Sequence, residues 1–210
     1  MSEHLRSTNS RPYRMRRRAE QVDETRQRIV EAAVALHGSV GLAATTIAAV
    51  ADLASVTRLT VYRHFPDQAA LFEACSAHWM SQQQAPDPGA WSQIGDPAAR
   101  LRAGLADLYR FYRAGAGMLA SVYRDFTTLP EAHQRRLRHQ SDTNRRILAE
   151  PFGGTARQRR RLRAVIGHAT SFWTWHSLCA EQGLSDQDAV EAMTGMVLAV
   201  TPVPHHEPAL

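Results

Sequence analysis

Residues 46–65 decide the fold, and their sequence is TIAAVADLASVTRLTVYRHF. Thr46 can cap a short helix with an apolar face, because its hydroxyl can accept a free amide of the first turn. A turn follows at residues 54–56, and Thr57 can cap a second short helix that runs to about His64. Two capped helices joined by so short a turn predict a helix-turn-helix.

The second of these helices divides into an apolar face and a polar face. Val61 and Phe65 are spaced to pack inward, whereas Arg58 and Thr60 present hydrogen-bond donors. In a helix-turn-helix the second helix enters the major groove with its N-terminal residues near the base edges. Leu59 stands at the exposed tip, where an aliphatic group can meet a thymine methyl. The pattern therefore predicts a DNA-reading helix.

Each residue also has a purely structural alternative. Phe65 can be an ordinary core aromatic, and Tyr62 can serve either in the core or on a phosphate. His64 can be a solvated helix end. Arg58 and Arg63 can form a solvated face, since charge on a short helix usually does only that. The assembled pattern favours DNA binding more than any single residue does.

The segments on either side complete a recognisable pattern, and residues 24–80 resemble the TetR family of transcriptional regulators. A helical apolar stripe covers residues 22–37 before the motif, and another apolar face with Leu71 and Phe72 follows it. The most specific part of the resemblance is residues 60–65, which join a polar face to a fixed aromatic spacing. The resemblance implies a repressor that binds a palindromic operator as a homodimer and is released by a small apolar effector.

The resemblance also assigns roles to residues. It implies that phosphates are contacted by Thr46, Thr57, Tyr62 and His64, and that bases are approached by Arg58, Leu59 and Thr60. Two positions depart from the family pattern. Ser55 replaces the usual glycine of the turn, which is tolerable if its backbone lies outside the left-handed region. Ala48 replaces a residue that is often polar, so the first helix of the motif is expected to read little sequence.

The charge of the chain is concentrated at its N-terminal end. The 210 residues carry a net charge of +5, and residues 1–65 hold ten arginines against six acidic residues, which gives +4 of that total. A basic terminal domain suits a polyanionic partner, here double-stranded DNA. Residues 1–20 are arginine-rich without apolar periodicity, so we predict a mobile basic arm that follows the minor groove or the phosphates. A solvated disordered tail is the alternative.

The whole pattern predicts an all-α protein with two domains. We assign residues 1–20 to the arm, 21–66 to the helix-turn-helix domain, 67–202 to a larger helical effector-binding and dimerisation domain, and 203–210 to a tail. Residues 82–97 are rich in Gln, Pro, Gly and Asp and form the clearest composition boundary. Helical patterns follow at about 97–115, 117–128, 131–149, 155–182 and 185–201.

The larger domain carries two open questions. In similar proteins the last two long helices pair with their copies in a four-helix bundle, but helical spacing cannot separate a dimer face from a core face. Surplus aromatics could enclose an apolar effector or simply pack. The candidate pocket residues are Tyr109, Tyr112, Tyr123, Phe126, Phe172 and His176. The arginine run 157–163 opposes the helix dipole and either binds an anion or is solvated, the second being favoured.

Other functional classes find little in the sequence. The GxSxG, GxxxxGK(S/T), HExxH and GxGxxG motifs are missing, so we expect no enzyme, no cofactor and no metal site. Cys75 and Cys179 are expected to be reduced, buried thiols. A polar N-terminus and the lack of an 18-residue apolar stretch predict a cytoplasmic protein without a membrane partner. The stronger rival is a degenerate regulator that captures ligands without binding DNA, against which Arg58 and Arg63 argue.

Overall fold

The computed structural model describes residues 10–201, and its regular elements there are all helical, which confirms the predicted all-α fold. The chain divides into two compact units after Ser81. The first unit consists of α1 (Ser10–Ser39), α2 (Ile47–Leu53), α3 (Arg58–His64) and α4 (Gln68–Ser81). Residues 1–9 of the predicted arm and the predicted tail 203–210 lie outside the described residues.

One apolar cluster holds the first unit together. All four helices contribute to it, so the two short helices of the motif are fixed by burial rather than by their own length. Its buried members are Ile29, Val30, Ala32, Ala33, Val50, Ala51, Ala54, Val61, Phe65, Leu71 and Cys75. Leu71 and Cys75 belong to α4, and the structure therefore groups α4 with the first unit rather than with the larger domain to which the sequence assigned it.

The predicted arm is helical from residue 10 onward, which corrects its assignment as a mobile segment. α1 starts at Ser10, and its residues are exposed from Tyr13 until burial begins at Ile29, apart from a half-buried Thr25. Apolar periodicity is missing there because these turns pack against little of the described part of the chain. The helix continues because Arg, Glu and Ala are good helix formers, and Arg16 pairs with Glu20 one turn on, at 3.0 Å.

The second unit is built around a long amphipathic helix. Its elements are α5 (Pro88–Ser92), α6 (Pro97–Ala114), α7 (Ala116–Arg124), a 3₁₀ turn (Phe126–Thr128), α8 (Glu131–Ala149), α9 (Ala156–Ala169), α10 (Phe172–Trp175), a π-helical segment (His176–Glu181) and α11 (Asp186–Leu198). α6 packs against α5, α8, α10 and α11. Gly104 lets α8 approach α6 closely, because a Cβ there would lie 2.5 Å from a methyl carbon of Leu148. No helix within residues 10–201 combines the length and the apolarity that a bilayer crossing requires.

The predicted continuous helix over residues 155–182 is wrong, because the structure interrupts it after Ala169. The Thr170 hydroxyl donates back to the carbonyl of Ile166 at 2.9 Å, and the Ser171 hydroxyl caps α10 by accepting the amide of Trp173 at 3.2 Å. Such local hydrogen bonds compete with the helical ladder. The chain then continues as α10 and the π-helical segment.

Candidate nucleic-acid interface

Threonine caps open both helices of the motif, as predicted. The Thr46 hydroxyl oxygen accepts the amide of Ala49 at 3.1 Å, and that of Thr57 accepts the amide of Thr60 at 3.2 Å. Each cap satisfies one amide that has no partner inside its helix. The sequence therefore sets the starting points of α2 and α3 locally, without help from the rest of the chain.

The turn between α2 and α3 is tight and strained at one residue. Ser55 has φ of +54°, so it lies in the left-handed region, contrary to the condition under which a serine is tolerable there. A residue with a Cβ pays about 1–2 kcal/mol for this conformation. The turn persists because the amide of Val56 donates to the carbonyl of Ala51 at 2.9 Å and the Val56 side chain packs on the core.

The core fixes which face of α3 is free. Val61 and Phe65 are buried, which settles Phe65 as a core aromatic. Leu59 is 61% exposed and Tyr62 is 50% exposed, so Tyr62 lies on the surface and not in the core. Arg58 is also exposed. The predicted base-reading edge is thus presented outward by a helix whose opposite face is anchored.

The two threonines of α3 share one hydrogen bond. The hydroxyl oxygens of Thr57 and Thr60 lie 2.9 Å apart, so one hydroxyl donates its proton to the other. A hydroxyl has a single proton to donate. The pair therefore keeps one proton for an external acceptor such as a phosphate or a base edge.

The remaining predicted contacts lie at the margins of this surface. Thr46 is exposed at the start of α2, while Ala48 and His64 are half-buried. Arg26 was not among the predicted residues, yet its guanidinium lies 4.9 Å from the centre of the Phe65 ring and ties α1 to the end of α3. Such a pair cannot be predicted from sequence periodicity, because it joins residues far apart in the chain.

A buried histidine lies at the other end of α1. His37 is buried in the last turn of this helix, and its ring lies 5.9 Å from that of Phe72. Burial lowers the pKa of His37 below its usual value of 6.5, because the charged imidazolium would lose its hydration. The fold of the first unit therefore favours the neutral form of His37.

The aromatic residues proposed for an effector pocket mostly lie together in the second unit. Tyr109, Tyr112 and Phe172 are buried, and the half-buried Tyr123 stacks on Phe172 with ring centres 5.3 Å apart. The half-buried His176 ring lies 5.8 Å from that of Phe172. We call these five residues the aromatic cluster.

Phe126 lies apart from this cluster in the contacts of the described residues, with the guanidinium of Arg138 lying 5.2 Å from its ring centre. His176 has the carboxylate of Glu181 at 3.2 Å from its Nδ1.

Two tyrosine hydroxyls of the aromatic cluster bind the interrupted helix. The hydroxyl of Tyr109 donates to the carbonyl of Ala169 at 2.8 Å, and that of Tyr112 donates to the carbonyl of Thr170 at 2.7 Å. Burial raises the pKa of both phenols well above the usual value of 10, so both stay protonated and able to donate. These hydroxyls therefore satisfy the carbonyls that the helix break releases.

Two short capped helices joined by a tight turn, the second with an exposed N-terminal edge, define a helix-turn-helix. A family model described as bacterial regulatory proteins, tetR family, matches residues 29–75. The HTH-type transcriptional regulator TtgR of Pseudomonas putida is 45% identical over 60 residues, which is 29% of this chain and 29% of that protein. The chain is thus matched over less than a third of that relative's length. Residues 29–75 are therefore similar to the N-terminal domain of the tetR family of bacterial regulatory proteins.

Solved structures resemble the chain over most of its length. PfmR, a TetR family transcriptional regulator from Thermus thermophilus, has a TM-score of 0.58 at 15% identity and covers 81% of this chain and 97% of its own. NalD from Pseudomonas aeruginosa has a TM-score of 0.53 at 18% identity and covers 87% of this chain and 98% of its own. At such identities the likeness extends to the fold, an N-terminal helix-turn-helix followed by a larger helical part.

Proposed function

We propose that this protein is a ligand-responsive transcriptional repressor that binds a palindromic operator as a homodimer. The observation that carries the proposal is the N-terminal edge of α3, where Arg58 and Leu59 are exposed while Val61 anchors the helix in the core. The exposed residues lie at the N-terminal end of a helix that the Thr57 cap and the buried Val61 hold in place, which is the arrangement needed to read a major groove. The rival, a ligand-capturing protein without DNA activity, does not need this edge.

The arrangement of donors supports separate roles on the duplex, with some residues contacting bases and others contacting phosphates. Arg58 is proposed to donate to a guanine edge, and Leu59 to contact a thymine methyl. Thr57 and Thr60 keep one proton between them for an acceptor on the DNA. Thr46, Tyr62 and His64 surround this centre and are proposed to contact phosphates.

The helical form of the N-terminal extension restricts how its arginines reach DNA. An α-helix with side chains is about 10–12 Å wide, whereas the minor groove is about 6 Å wide. The helix itself is therefore too wide to enter the minor groove, and Arg14, Arg16, Arg17 and Arg18 are proposed to contact phosphates along its edge. Replacing these four arginines by glutamine should lower the affinity and reduce the slope of log K against log salt by about 0.9 for each lost phosphate contact. An unchanged slope would mean that these arginines do not contact phosphates.

Exposed small and aromatic side chains near the end of the second unit support a homodimer. Trp173 is 46% exposed on α10. Ala192 and Gly195 are exposed on α11, and a Cβ at Gly195 would meet open space. Such a face lets a second helix approach closely, as the proposed four-helix bundle requires. A Gly195→Arg variant should therefore shift the protein from dimer to monomer in sedimentation velocity.

The proposed effector is an apolar molecule that binds beside the aromatic cluster and weakens DNA binding. The interruption after Ala169 supports this location, since π-helical turns and broken helices are frequent at functional sites. Two recognition helices must stand about 34–36 Å apart to enter successive major grooves. A ligand that binds more tightly to a conformation with another spacing shifts the population away from DNA. An apolar ligand that binds without changing the operator affinity would contradict this coupling.

Selection of bound sequences from random duplex DNA tests the core of the proposal. We expect the enriched sequences to contain two half-sites related by two-fold symmetry. No enrichment would favour the ligand-capturing alternative. Enrichment of a single, non-repeated half-site would overturn the dimeric mode of binding.

The Arg58→Ala variant then tests the recognition edge. We expect this variant to lose about 1–3 kcal/mol of operator affinity and to relax the preference at one base position per half-site. Arg160→Ala removes the same charge from an exposed position on α9 and serves as the control. Equal losses from both variants would mean that only the overall charge of the chain matters.

A further inference from the structure

The α8 and α9 helices form a basic cleft that plays no part in the functions proposed above. The cleft is open to solvent, has a volume of about 280 Å³ and is lined by Asp142, Arg145, Arg146 and Arg163. All four residues belong to the second unit, on helices that pack directly against each other. The cleft is therefore built without any contribution from the recognition helix.

The positive charge of this cleft is only partly neutralised. The Asp142 carboxylate accepts a hydrogen bond from Nη2 of Arg145 at 2.7 Å. Arg146 and Arg163 carry no ion pair within residues 10–201. Three guanidinium groups against one carboxylate leave the lining residues with a net charge of +2. Such a local excess attracts an anion.

One guanidinium nitrogen in the cleft lacks an acceptor. The Nε atom of Arg145 is buried and makes no hydrogen bond within the part of the chain that the structure describes. Leaving a buried donor of a charged group unpaired is costly, and this cost exceeds that of an ordinary missing hydrogen bond. Because this Nε is buried against α9, an oxyanion in the open cleft would be bound by the terminal Nη atoms of the guanidinium groups.

A glycine on α9 makes room for this arginine. A Cβ at Gly167 would lie 3.3 Å from both Cδ and Nε of Arg145, which is tighter than an ordinary contact. The bare backbone of Gly167 lets the guanidinium lie against α9 with its Nε turned away from solvent. The arginine is thereby held in place by packing, and a held donor loses less freedom when it binds an anion.

We propose that this cleft binds a compact multivalent oxyanion, such as a phosphate ester or a polycarboxylate. Arginine is suited to this role because its planar fork donates two parallel hydrogen bonds to carboxylate or phosphate oxygens. The wall residues are charged, so the cleft does not suit the apolar effector proposed for the aromatic cluster. The cleft is a second ligand site, separate from both the DNA-binding surface and the aromatic cluster.

Isothermal titration of the full-length protein with pyrophosphate and with citrate, at constant ionic strength, tests the site. We expect one anion to bind per chain. The Arg163→Gln variant should weaken the binding about tenfold or more, as expected for the loss of a charge-assisted hydrogen bond. Arg161→Gln removes the same charge from an exposed position on the same helix, outside the cleft, and should change the affinity less than about twofold. Asp142→Asn should strengthen the binding, because it removes the one negative charge of the lining.

Three results would overturn the proposal. The first is that neither anion binds the wild-type protein. The second is that Arg161→Gln weakens binding as much as Arg163→Gln, which would mean that the anions respond to general charge. The third is that Arg58→Ala abolishes binding, which would place the anion on the recognition helix. Since this proposal does not depend on DNA binding, its failure and the failure of the proposed function are distinguishable.

Discussion

Two tyrosines, one in each unit, show how differently the two parts of the chain use the same side chain. Tyr62 on α3 is 50% exposed, and no hydrogen bond of its hydroxyl is found within residues 10–201. Tyr112 on α6 is buried and donates to the carbonyl of Thr170. Tyr62 thus keeps its hydroxyl at the surface, whereas Tyr112 uses its hydroxyl to support the backbone of its own unit.

This difference follows from where the backbone leaves groups unpaired. In the first unit, the caps of Thr46 and Thr57 and the turn around Ser55 satisfy the backbone locally, so surface side chains remain available. In the second unit, the interruption after Ala169 releases carbonyls inside the core, and buried hydroxyls must satisfy them. We therefore expect surface substitutions to affect binding in the first unit and core substitutions to affect stability in the second.

The largest expected effect comes from removing a buried tryptophan of the second unit. Trp175 is buried, its ring lies 5.6 Å from that of Phe172, and its Nε1 donates to Asp186 at 2.9 Å. Trp175→Ala should lower the free energy of unfolding by about 3–5 kcal/mol, because it leaves a large cavity and removes one hydrogen bond to Asp186. Denaturant unfolding followed by circular dichroism measures this loss.

Trp173 provides the matched control, because it is close in sequence but 46% exposed. Trp173→Ala should cost roughly half as much stability, in proportion to its smaller buried area in the protomer. If both variants lost the same stability, the division between a structural core and an available surface would not hold for these residues.

A hydroxyl deletion in each unit compares the two tyrosines directly. Tyr112→Phe removes the donor to Thr170 and should cost about 1–3 kcal/mol of stability, since the carbonyl stays buried without its partner. Tyr62→Phe should leave stability within about 0.5 kcal/mol of the wild type and should weaken binding to every DNA sequence by a similar factor. Thermal unfolding and a salt-matched binding assay separate the two outcomes. A stability loss from Tyr62→Phe would show that its hydroxyl has an internal role.

The strained turn of the first unit gives a smaller effect of opposite sign. Ser55→Gly relieves the left-handed backbone but increases the freedom of the unfolded chain, so we expect a net gain of about 0.5–1 kcal/mol. Ser76→Gly, in the interior of α4, should instead cost about 0.5 kcal/mol by helix propensity. The two variants are compared by denaturant unfolding. A loss of stability in both would mean that the Ser55 side chain contributes more than its backbone strain costs.

The sequence predicted the features of the fold that depend on interactions between residues close together in the chain. The threonine caps, the apolar spacing of Val61 and Phe65 and the outward position of Leu59 follow from residues within one or two turns of each other. The left-handed conformation of Ser55 could not be predicted from the sequence, because a tight turn can be closed with several backbone conformations. The chain resolves that choice through Val56, whose burial depends on the other helices.

Tertiary contacts explain what the sequence could not show. At the helix break after Ala169, the released carbonyls are satisfied by the hydroxyls of Tyr109 and Tyr112, which lie about sixty residues earlier in the chain. Apolar periodicity continues across such a break, so the pattern of apolar residues does not reveal it. The helical extension of α1 was missed for the opposite reason, since an exposed arginine-rich helix has no apolar stripe to detect.

The smallest predicted effect is a difference in acid sensitivity between the two units. Burial lowers the pKa of His37, so the fold favours the neutral imidazole. The contribution of His37 to stability is therefore fully present above pH 6.5, and it is lost as the pH falls through the lowered pKa of the folded state. For Asp186, burial raises the pKa, but the hydrogen bonds from Arg113 and Trp175 and the charge of Arg113 outweigh it and hold the pKa below 3.8. The contribution of the ionised Asp186 carboxylate to stability is lost only below pH 3.8. Because Asp186 and Arg113 form a partly exposed pair, this contribution amounts to less than about 1 kcal/mol.

Hydrogen exchange at pH 7 and pH 5, corrected for the intrinsic rate, resolves this difference by unit. The amides of α1 and α4 should lose protection at pH 5, whereas those of α11 should not, because Asp186 remains ionised there. A His37→Gln variant should keep the same protection of α1 at both pH values, since it has no group that gains a proton. Equal loss of protection in α1 and α11 would mean that His37 is not the group through which mild acid acts.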